Sequence, residues 1–268
     1  MKYTLVTGAS GGIGEALVKK LAGRGNNIIM VARNAEKLAK ISAELQDQFG
    51  VHVAFIAADL TKNDAPRRIY QETVKRKWEI DVLVNNAGVG SGGVFADLSL
   101  ESELDLLQLN NSSLIAMTHF FLQPMRKRNH GTIVNVASMA AFMPVPYMAT
   151  YAASKVFVRS FTEAIAQECK PFNVDIMLFA PGLTKTNFNE AAGINNDKGV
   201  GLSSDYETAA TQTAEEVADE LLQAMDAKKL FYISGSKNRM GARLLALLPN
   251  TITARFMASS YRKKIVRL

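Results

Sequence analysis

Short apolar runs alternate with amphipathic segments along the first 235 residues of this 268-residue chain. The run Tyr3–Thr7 is short and apolar, as expected of a buried strand. In Ala35–Phe49, apolar Leu38, Ile41 and Leu45 recur at spacings of three and four, which predicts a helix with one buried face. The same alternation repeats toward residue 235, so strands and helices are expected to follow one another in turn.

The predicted strands are nearly continuous in apolar residues, and most are followed by a helix. This pattern indicates a parallel sheet covered on both faces. Right-handed crossovers then give an α/β fold, a doubly wound sheet of about seven strands in one domain over residues 1–235. Strands are predicted at Tyr3–Thr7, Asn27–Ala32, Val51–Ala57, Asp81–Asn85, Thr132–Val136, Val174–Phe179 and Leu230–Ile233, and helices at Gly12–Arg24, Ala35–Phe49, Asp64–Lys77, Glu101–Arg128, Tyr151–Lys170 and Glu215–Asp226.

Two segments depart from the alternation. Residues 182–213 are rich in Gly, Asn, Ser and Thr and show little periodicity. A loop of that length in a compact domain is usually functional, so it is expected to contact substrate. Residues 236–268 form a basic extension, in which Ile252, Phe256, Tyr261 and Ile265 recur at four or five residues.

Charge is unevenly distributed. The net charge is +6, but ten Lys and Arg residues and no Asp or Glu follow Asp226. A basic amphipathic helix there is compatible with weak peripheral contact with an anionic membrane. The favoured interpretation is a helix that packs over the substrate pocket or at a subunit interface. No nucleic-acid-binding motif accompanies the basic residues, so nucleic acid is not an expected partner.

Cysteine content and hydropathy indicate the cellular compartment in which the protein is expected. Cys169 is the single cysteine, so no internal disulfide forms and a reducing compartment, the cytoplasm, is expected. The N-terminus reaches Gly8 too soon for a signal-peptide apolar region. No run of about 18 apolar residues predicts a transmembrane helix.

A glycine-rich turn joins the first strand to the first helix. Gly8, Gly12 and Gly14 give the spacing Gly-x-x-x-Gly-x-Gly, which differs from the standard Gly-x-Gly-x-x-Gly fingerprint. Glycines let the backbone approach an anion, and the helix N-terminus supplies free N–H groups. The turn therefore predicts a pyrophosphate site, which Ser10, Gly11 and Ile13 complete.

A hydrolase motif overlaps this turn. Gly8–Gly12 also matches Gly-x-Ser-x-Gly, which would make Ser10 a nucleophile. An elbow on the first strand has no preceding strand–helix loop to donate an oxyanion N–H, and the chain has only three histidines. The hydrolase is therefore disfavoured.

The end of the second strand bears on the choice of dinucleotide. An acidic residue there would bond the ribose 2′-hydroxyl of NAD, whereas an arginine accommodates the 2′-phosphate of NADP. The strand ends in Ala32-Arg33-Asn34, with no acid. NADP(H) is the expected cofactor; the alternative is that Arg33 is a solvated strand-end residue.

Tyr151 and Lys155 are four residues apart on a predicted helix and therefore share a face. A nearby ammonium favours an ionised phenol, so Lys155 is expected to lower the pKa of Tyr151 toward neutrality. A tyrosine tuned in this way exchanges protons with a substrate oxygen. On spacing alone, an aromatic ring packed under a lysine stem is the better explanation of the pair.

Taken together, these motifs resemble the short-chain dehydrogenase/reductase family, in its branch of roughly 250 residues, over about residues 1–235. The resemblance implies a catalytic set in which Ser138 binds a carbonyl oxygen, Tyr151 is the acid, Lys155 holds the nicotinamide ribose and tunes Tyr151, and Asn110 positions a proton-relay water. Asn111 competes with Asn110 for that role. The cofactor contacts that the resemblance implies are Gly8, Ser10, Gly11, Gly12, Ile13, Gly14, Arg33, Asp59, Leu60, Asn86, Ala87, Gly88, Tyr151, Lys155, Pro181, Gly182 and either Thr184 or Thr186.

The expected activity is NADP(H)-dependent interconversion of a carbonyl and an alcohol, on a lipophilic small-molecule substrate, without a metal. A sugar-nucleotide epimerase shares the Tyr/Lys pair but usually has a larger C-terminal domain. A non-enzymatic NADP sensor would typically lack the tyrosine or the lysine. The helices Glu101–Arg128 and Tyr151–Lys170 resemble the family's dimer-forming pair, so a homodimer or homotetramer is expected.

Overall fold

The computed structural model describes residues 1–186, 188 and 210–265. Strands and helices alternate as the hydrophobic pattern predicts, and most boundaries agree within two residues. The strands are β1 (Lys2–Thr7), β2 (Ile28–Ala32), β3 (Val53–Ala57), β4 (Glu79–Asn85), β5 (Gly131–Val136), β6 (Val174–Ala180), β7 (Thr184–Lys185), β8 (Gln212–Thr213) and β9 (Phe231–Ile233). The helices are α1 (Gly12–Gly23), α2 (Ala35–Phe49), α3 (Ala65–Lys75), α4 (Leu100–Leu107), α5 (Ser113–Lys127), α6 (Ala149–Cys169), α7 (Ala214–Asp226), α8 (Ser236–Leu245) and α9 (Asn250–Ile265).

Seven parallel strands form the main sheet, in the order β3-β2-β1-β4-β5-β6-β9. The order reverses between β1 and β4, which creates the crevice where open α/β sheets bind ligands. The predicted single-domain, doubly wound fold is confirmed.

Successive strand side chains point to opposite faces, so the sheet buries two apolar layers. Val6 lies in the layer under α1, α2 and α7, whereas its neighbour Leu5 lies in the layer under α3, α5 and α6. Both are fully buried. This double burial explains why the strands lack the polar alternation of a half-exposed sheet.

The long helix expected over Glu101–Arg128 is present, but it contains one turn of a different geometry. A π-helical turn, Gln108–Ser112, separates α4 from α5. Asn110 and Asn111 are buried in it, and their amides bond outside the helix. Single π turns often occur at functional sites, and the carboxyl ends of β4 and β5 are nearby in the fold.

The loop 182–213 and the C-terminal extension 236–268 also differ in detail from what the sequence predicts. Most of the predicted loop 182–213 lies outside the described residues, but its two ends pair as β7 and β8. The C-terminal extension forms two helices, α8 and α9, whereas the sequence indicated a single amphipathic helix there. No helix in the described part of the chain is long and apolar enough to cross a membrane.

Candidate active site

The glycine turn is shaped by contacts that leave no room for side chains. A Cβ on Gly14 would lie 2.2 Å from the carbonyl oxygen of Gly8. Gly8 and Gly12 have φ values of +67° and +51°, a region that L-residues avoid. Strand β1 can therefore turn sharply into α1 only with glycine at these three positions.

The turn presents an anion-binding surface at the first turn of α1. Gly11 is the N-terminal cap, and a Cβ on it would meet nothing within 4 Å, so this side of the backbone is open. The first amides of a helix have no intrahelical acceptor, and those after Gly11 include Gly12 and Ile13. Ser10 lies half-buried at the same corner. This cradle fits a dinucleotide pyrophosphate.

Strand β4 is fastened to the glycine turn by the Thr7 hydroxyl. The Thr7 hydroxyl oxygen accepts hydrogen bonds from the backbone N–H groups of Asn86 at 3.0 Å and Ala87 at 2.9 Å. In return, Asn86 Nδ2 donates to the carbonyl oxygen of Thr7 at 2.9 Å. The segment Asn86–Gly88 therefore forms the second wall of the crevice.

The strand ends beyond β2 and β3 bring Arg33 and Asp59 together. Burial would raise the pKa of Asp59, but hydrogen bonds from Thr61 and the charge of Arg33 outweigh it, so the pKa lies below its ordinary value. Arg33 is exposed, and Leu60 is buried beneath this corner. An exposed arginine at this edge suits a phosphate on the adenosine ribose.

Ser138 and Tyr151 form the centre of the site. Ser138 follows β5, and its Oγ accepts from the backbone N–H of Ala140 at 3.1 Å. Its side chain also hydrogen-bonds that of Tyr151, which is 9% exposed at the start of α6. A hydroxyl pair at the carboxyl edge of the sheet can bind one carbonyl oxygen from two directions.

The expected effect of Lys155 on Tyr151 is wrong for this structure. Burial raises the pKa of Tyr151, and the opposing hydrogen bond from Ser138 does not overcome it. The Nζ atom of Lys155 lies 5.8 Å from the centre of the Tyr151 ring. The short sequence spacing predicted a shared face correctly but ignored the cost of ionising a phenol in an apolar pocket.

Lys155 is itself buried, and its Nζ donates to the carbonyl oxygen of Val136 at 3.1 Å. Burial lowers its pKa from 10.5 to about 8. The ammonium is thus still the main form at neutral pH, with one identified acceptor. Three donors on Nζ leave capacity for a ribose hydroxyl.

Asn110 holds the π turn against the strand-end segment. Its Oδ1 accepts from the backbone N–H of Val89 at 3.0 Å, and its Nδ2 donates to the Val89 carbonyl and to Ser154 Oγ at 3.0 Å. A Cβ on Gly88 would lie 3.1 Å from Asn110 Oδ1 and 3.4 Å from Lys155 Nζ. Asn110, Gly88 and Lys155 therefore converge on one place.

Asn111 and Ser154 are in contact in the folded chain, and the sequence did not predict this contact. Asn111 Nδ2 donates to the Ser154 carbonyl at 2.9 Å, while its Oδ1 is buried with no hydrogen-bond partner in the described structure. Ser154 Oγ in turn donates to the Tyr151 carbonyl at 2.7 Å. The role of Ser154 was missed, although a polar residue between Tyr151 and Lys155 on the inner face was a visible signal.

The turn after β6 closes the far side of the site. The Pro181 carbonyl accepts from the backbone N–H of Met139 at 2.9 Å, beside Ser138. A Cβ on Gly12 would lie 3.0 Å from Thr186 Cγ2, so Thr186 overhangs the glycine turn. The Thr184 hydroxyl bonds the Gly182 carbonyl at 3.1 Å instead. Of the two threonines, Thr186 is thus the one near the pyrophosphate cradle.

An apolar wall surrounds the Tyr151 ring. Leu106, Val145, Met148 and Ala152 are buried with it, and Met257 of α9 packs against this cluster. The Phe188 ring lies 5.7 Å from the Tyr151 ring. Sequence analysis missed these residues because pocket-lining apolar side chains carry no motif.

The hydrolase alternative finds no histidine at this edge of the sheet. His52 precedes β3 and His130 precedes β5, at the opposite edge from Ser10. His119 lies on α5 and hydrogen-bonds Gln123. Because the structure describes all three, Ser10 has no imidazole to activate it.

The comparisons with known proteins agree with this geometry. Residues 2–197 match the family model described as short chain dehydrogenase. Human 17-beta-hydroxysteroid dehydrogenase type 3 is 34% identical over 231 residues, which are 82% of this chain and 73% of that protein. A short-chain dehydrogenase from Sphingobium yanoikuyae, solved in complex with NADPH, superposes with a TM-score of 0.80 at 26% identity, covering 93% of this chain and 96% of that one. A solved 7beta-hydroxysteroid dehydrogenase gives a TM-score of 0.83 at 26% identity and covers 96% of each chain.

Proposed function

Since this chain belongs to the short-chain dehydrogenase/reductase family and is an oxidoreductase acting on carbonyl and hydroxyl groups, we propose that it uses NADP(H) and that Tyr151 is its general acid and base. The observation that carries the proposal is the hydrogen bond between Ser138 and Tyr151 inside a buried apolar wall. Lys155 and Asn110 lie close to this pair, and Ser154 hydrogen-bonds both Asn110 and the Tyr151 carbonyl.

In the reductive direction, Ser138 donates a hydrogen bond to the substrate carbonyl oxygen. Tyr151, which is neutral at physiological pH, then transfers its phenolic proton to that oxygen. Lys155 supplies positive charge near the phenolate that is left behind. When bound, NADPH supplies the hydride.

The proton must return to Tyr151 before the next turnover. Asn110 lies next to Lys155, but its amide is already engaged with Val89 and Ser154. We assign it to holding the π turn and the water path beside it. Asn111 Oδ1 has no hydrogen-bond partner in the described structure and is the second candidate for that path.

The cofactor assignment rests on Arg33 and on the open glycine turn. Solved relatives of more than 25% identity hold NADPH or NADP, including the Sphingobium enzyme and a serine dehydrogenase. The exposed guanidinium of Arg33 would pair with the 2′-phosphate, and Asp59 and Leu60 would contact the adenine side.

The proposed substrate is a bulky lipophilic ketone or the matching secondary alcohol. The pocket wall around Tyr151 is apolar, formed by residues such as Val145, Met148 and Met257. Such a wall recognises hydrocarbon by area and offers few polar contacts. The human relative's name, a hydroxysteroid dehydrogenase, is consistent with this class.

A screen of NADPH oxidation over ketosteroids, quinones, bulky aryl ketones and 3-ketoacyl thioesters tests the function. Turnover is expected with at least one bulky apolar ketone, and faster with NADPH than with NADH. A purified preparation that oxidises NADPH with none of these substrates would refute the proposed function.

We also propose a homodimer or homotetramer, located in the cytoplasm. Leu100, Leu104 and Leu107 form an exposed apolar stripe on α4, and Val156 and Phe157 are exposed on α6. These two helices contact each other, and exposed apolar residues on neighbouring helices suit an interface between copies of the chain.

A further inference from the structure

The extension beyond the sheet exposes an unusual number of large apolar side chains. Its described residues include six that are 47% to 79% exposed. We define them as the tail surface: Met240, Leu244, Leu247, Leu248, Ile252 and Phe256. Apolar side chains gathered in this way on a protein surface mark an interaction site.

Helix α8 carries its apolar stripe on a fixed, outward face. Met240 and Leu244 are four residues apart and so share one side of α8, while Ala242 on the opposite side is buried. Arg239 pairs with Glu220 at 2.9 Å and donates to the Ile233 carbonyl at 2.8 Å. These bonds fasten α8 to the sheet edge, so its apolar side faces away from the core.

Basic side chains border that stripe. Lys237 and Arg243 are exposed on either side of Met240 and Leu244 around the helix. On α9, exposed Arg255 adjoins Phe256. The chain after Asp226 carries ten Lys and Arg residues and no acid. Apolar residues flanked by basic ones, whose long stems allow the charge to stay in the headgroup layer, match an anionic membrane surface.

The opposite side of α9 reaches the active site. Thr253 is buried, and Met257, four residues later, packs against the apolar wall around Tyr151. Ile252 and Phe256 project elsewhere and are 52% and 75% exposed. One helix therefore connects the pocket wall with the tail surface.

From this arrangement we propose that α8 and α9 form a docking surface for an anionic lipid membrane, placing the pocket opening where lipophilic substrate is dissolved. The docking itself is independent of the reaction, whereas the delivery of substrate rests on the proposed function. A second copy of the chain is a poorer occupant, because two identical basic surfaces would repel each other.

Sedimentation of the full chain with vesicles tests the docking. Binding is expected to vesicles of phosphatidylcholine mixed with phosphatidylserine, to be much weaker with phosphatidylcholine alone, and to decrease as salt is added. The apolar variant Leu244→Ser/Phe256→Ser and the charge variant Lys237→Glu/Arg243→Glu should each reduce the partition coefficient by roughly tenfold or more. Val74→Ser/Lys75→Glu, an exposed apolar–basic pair on α3, is the matched control and should bind like the wild type.

Two outcomes would overturn the docking: wild-type protein that binds neither vesicle, or tail variants that bind as well as the wild type. Variants that instead convert an oligomer to a monomer, with no vesicle binding by the wild type, would assign the surface to a second copy. Circular dichroism shows whether each variant keeps its fold.

Kinetics separate this inference from the proposed function. With a water-soluble ketone, the tail variants should retain wild-type turnover. With a lipophilic ketone dissolved in anionic vesicles, the wild type should show an apparent KM several-fold lower than the variants. Activity that is unaffected by the tail variants in vesicles refutes the delivery, whereas inactivity with every ketone refutes the function alone.

Discussion

At Tyr151, burial affects the pKa of the phenol more than the spacing to Lys155 does. The helical period places Lys155 on its face, and the two side chains do lie near each other. Yet the largest influence on the phenol is the apolar wall, which raises its pKa and keeps it protonated. A neutral phenol is the form that donates a proton, but a raised pKa also makes it a weaker acid, so proton transfer depends on the positive charge that Lys155 supplies near the phenolate.

Tyr151→Phe removes the phenolic proton and keeps the ring. Ketone reduction should decrease by about 10²- to 10⁴-fold in kcat, because general acid catalysis is lost. Steady-state kinetics with NADPH measure it. Tyr70→Phe is the control. Tyr70 lies on α3, where its ring packs against Phe120 and Phe121 of α5, and this variant should keep full activity. Wild-type turnover by Tyr151→Phe would disprove the acid assignment.

Lys155 should give folding stability a distinctive pH dependence. Its pKa is about 8 in the folded chain and 10.5 ordinarily, so the unfolded chain binds more protons between these values. Stability contributed by this group therefore rises with pH through that window and is lost as pH falls toward about 8.

Urea unfolding of the wild type and of Lys155→Met measures this effect. The wild type should gain about 2 kcal/mol relative to the variant between about pH 7 and about pH 9.5. Other groups, Tyr151 included, are present in both proteins and largely cancel. A difference that stays constant with pH would show that burial does not lower the pKa of Lys155.

Arg33 determines the expected cofactor preference. Arg33→Ala should raise the KM for NADPH by roughly 10- to 100-fold, the value of a charged hydrogen bond, and change the KM for NADH little. Lys40→Ala removes an exposed charge on α2 instead and should leave both values unchanged. Equal wild-type affinities that Arg33→Ala does not alter would remove this role from Arg33.

At the scale of elements, the glycine turn was the most predictable part of the site. Its need for glycine is local: Gly14 touches Gly8, and Gly8 and Gly12 adopt left-handed backbone. The π turn was not predictable in the same way. Its asparagines bond to Val89 and Ser154, which are distant in sequence, so only the folded chain shows the interruption.

Gly14→Ala should place a methyl group against the Gly8 carbonyl and destabilise the protein by about 1–3 kcal/mol, with weaker NADPH binding. Gly11→Ala is the matched comparison, because its Cβ would meet nothing within 4 Å and it should change stability by only a few tenths of a kcal/mol. Thermal unfolding and NADPH titration measure both effects. Equal stability of the two variants would contradict the close contact.

At the scale of the whole molecule, the order of strands and helices followed from hydrophobic periodicity, because a sheet buried on both faces requires apolar strands throughout. What periodicity could not provide is long-range contact. The pocket wall joins Leu106, Val145 and Met257 from three separate elements, and none of them is marked by a motif. Of the proposed catalytic residues, Ser138 and Tyr151 were recognisable because Ser138 follows a strand and Tyr151 lies at the start of a helix.

The proposed homo-oligomer can be tested through the stripe on α4. Leu104→Arg places a charge on a side chain that is 54% exposed in the single chain. If copies associate through this stripe, light scattering after size exclusion should show a smaller particle than the wild type. Val74→Arg, at a 57% exposed residue on α3, is the control and should not change the mass. An unchanged mass for Leu104→Arg would place the interface elsewhere.

The pairing of β7 with β8 has a consequence for how substrate choice can change. The chain departs at Thr184–Lys185 and returns at Gln212–Thr213, side by side, where the Gln212 N–H donates to the Leu183 carbonyl at 3.0 Å. A capping box at Thr213 and Glu216 then starts α7 afresh. The two ends of the intervening stretch are therefore held side by side by backbone pairing. Evolution or a protein engineer can therefore exchange residues 189–209, part of the expected substrate loop, between two ends that stay fixed.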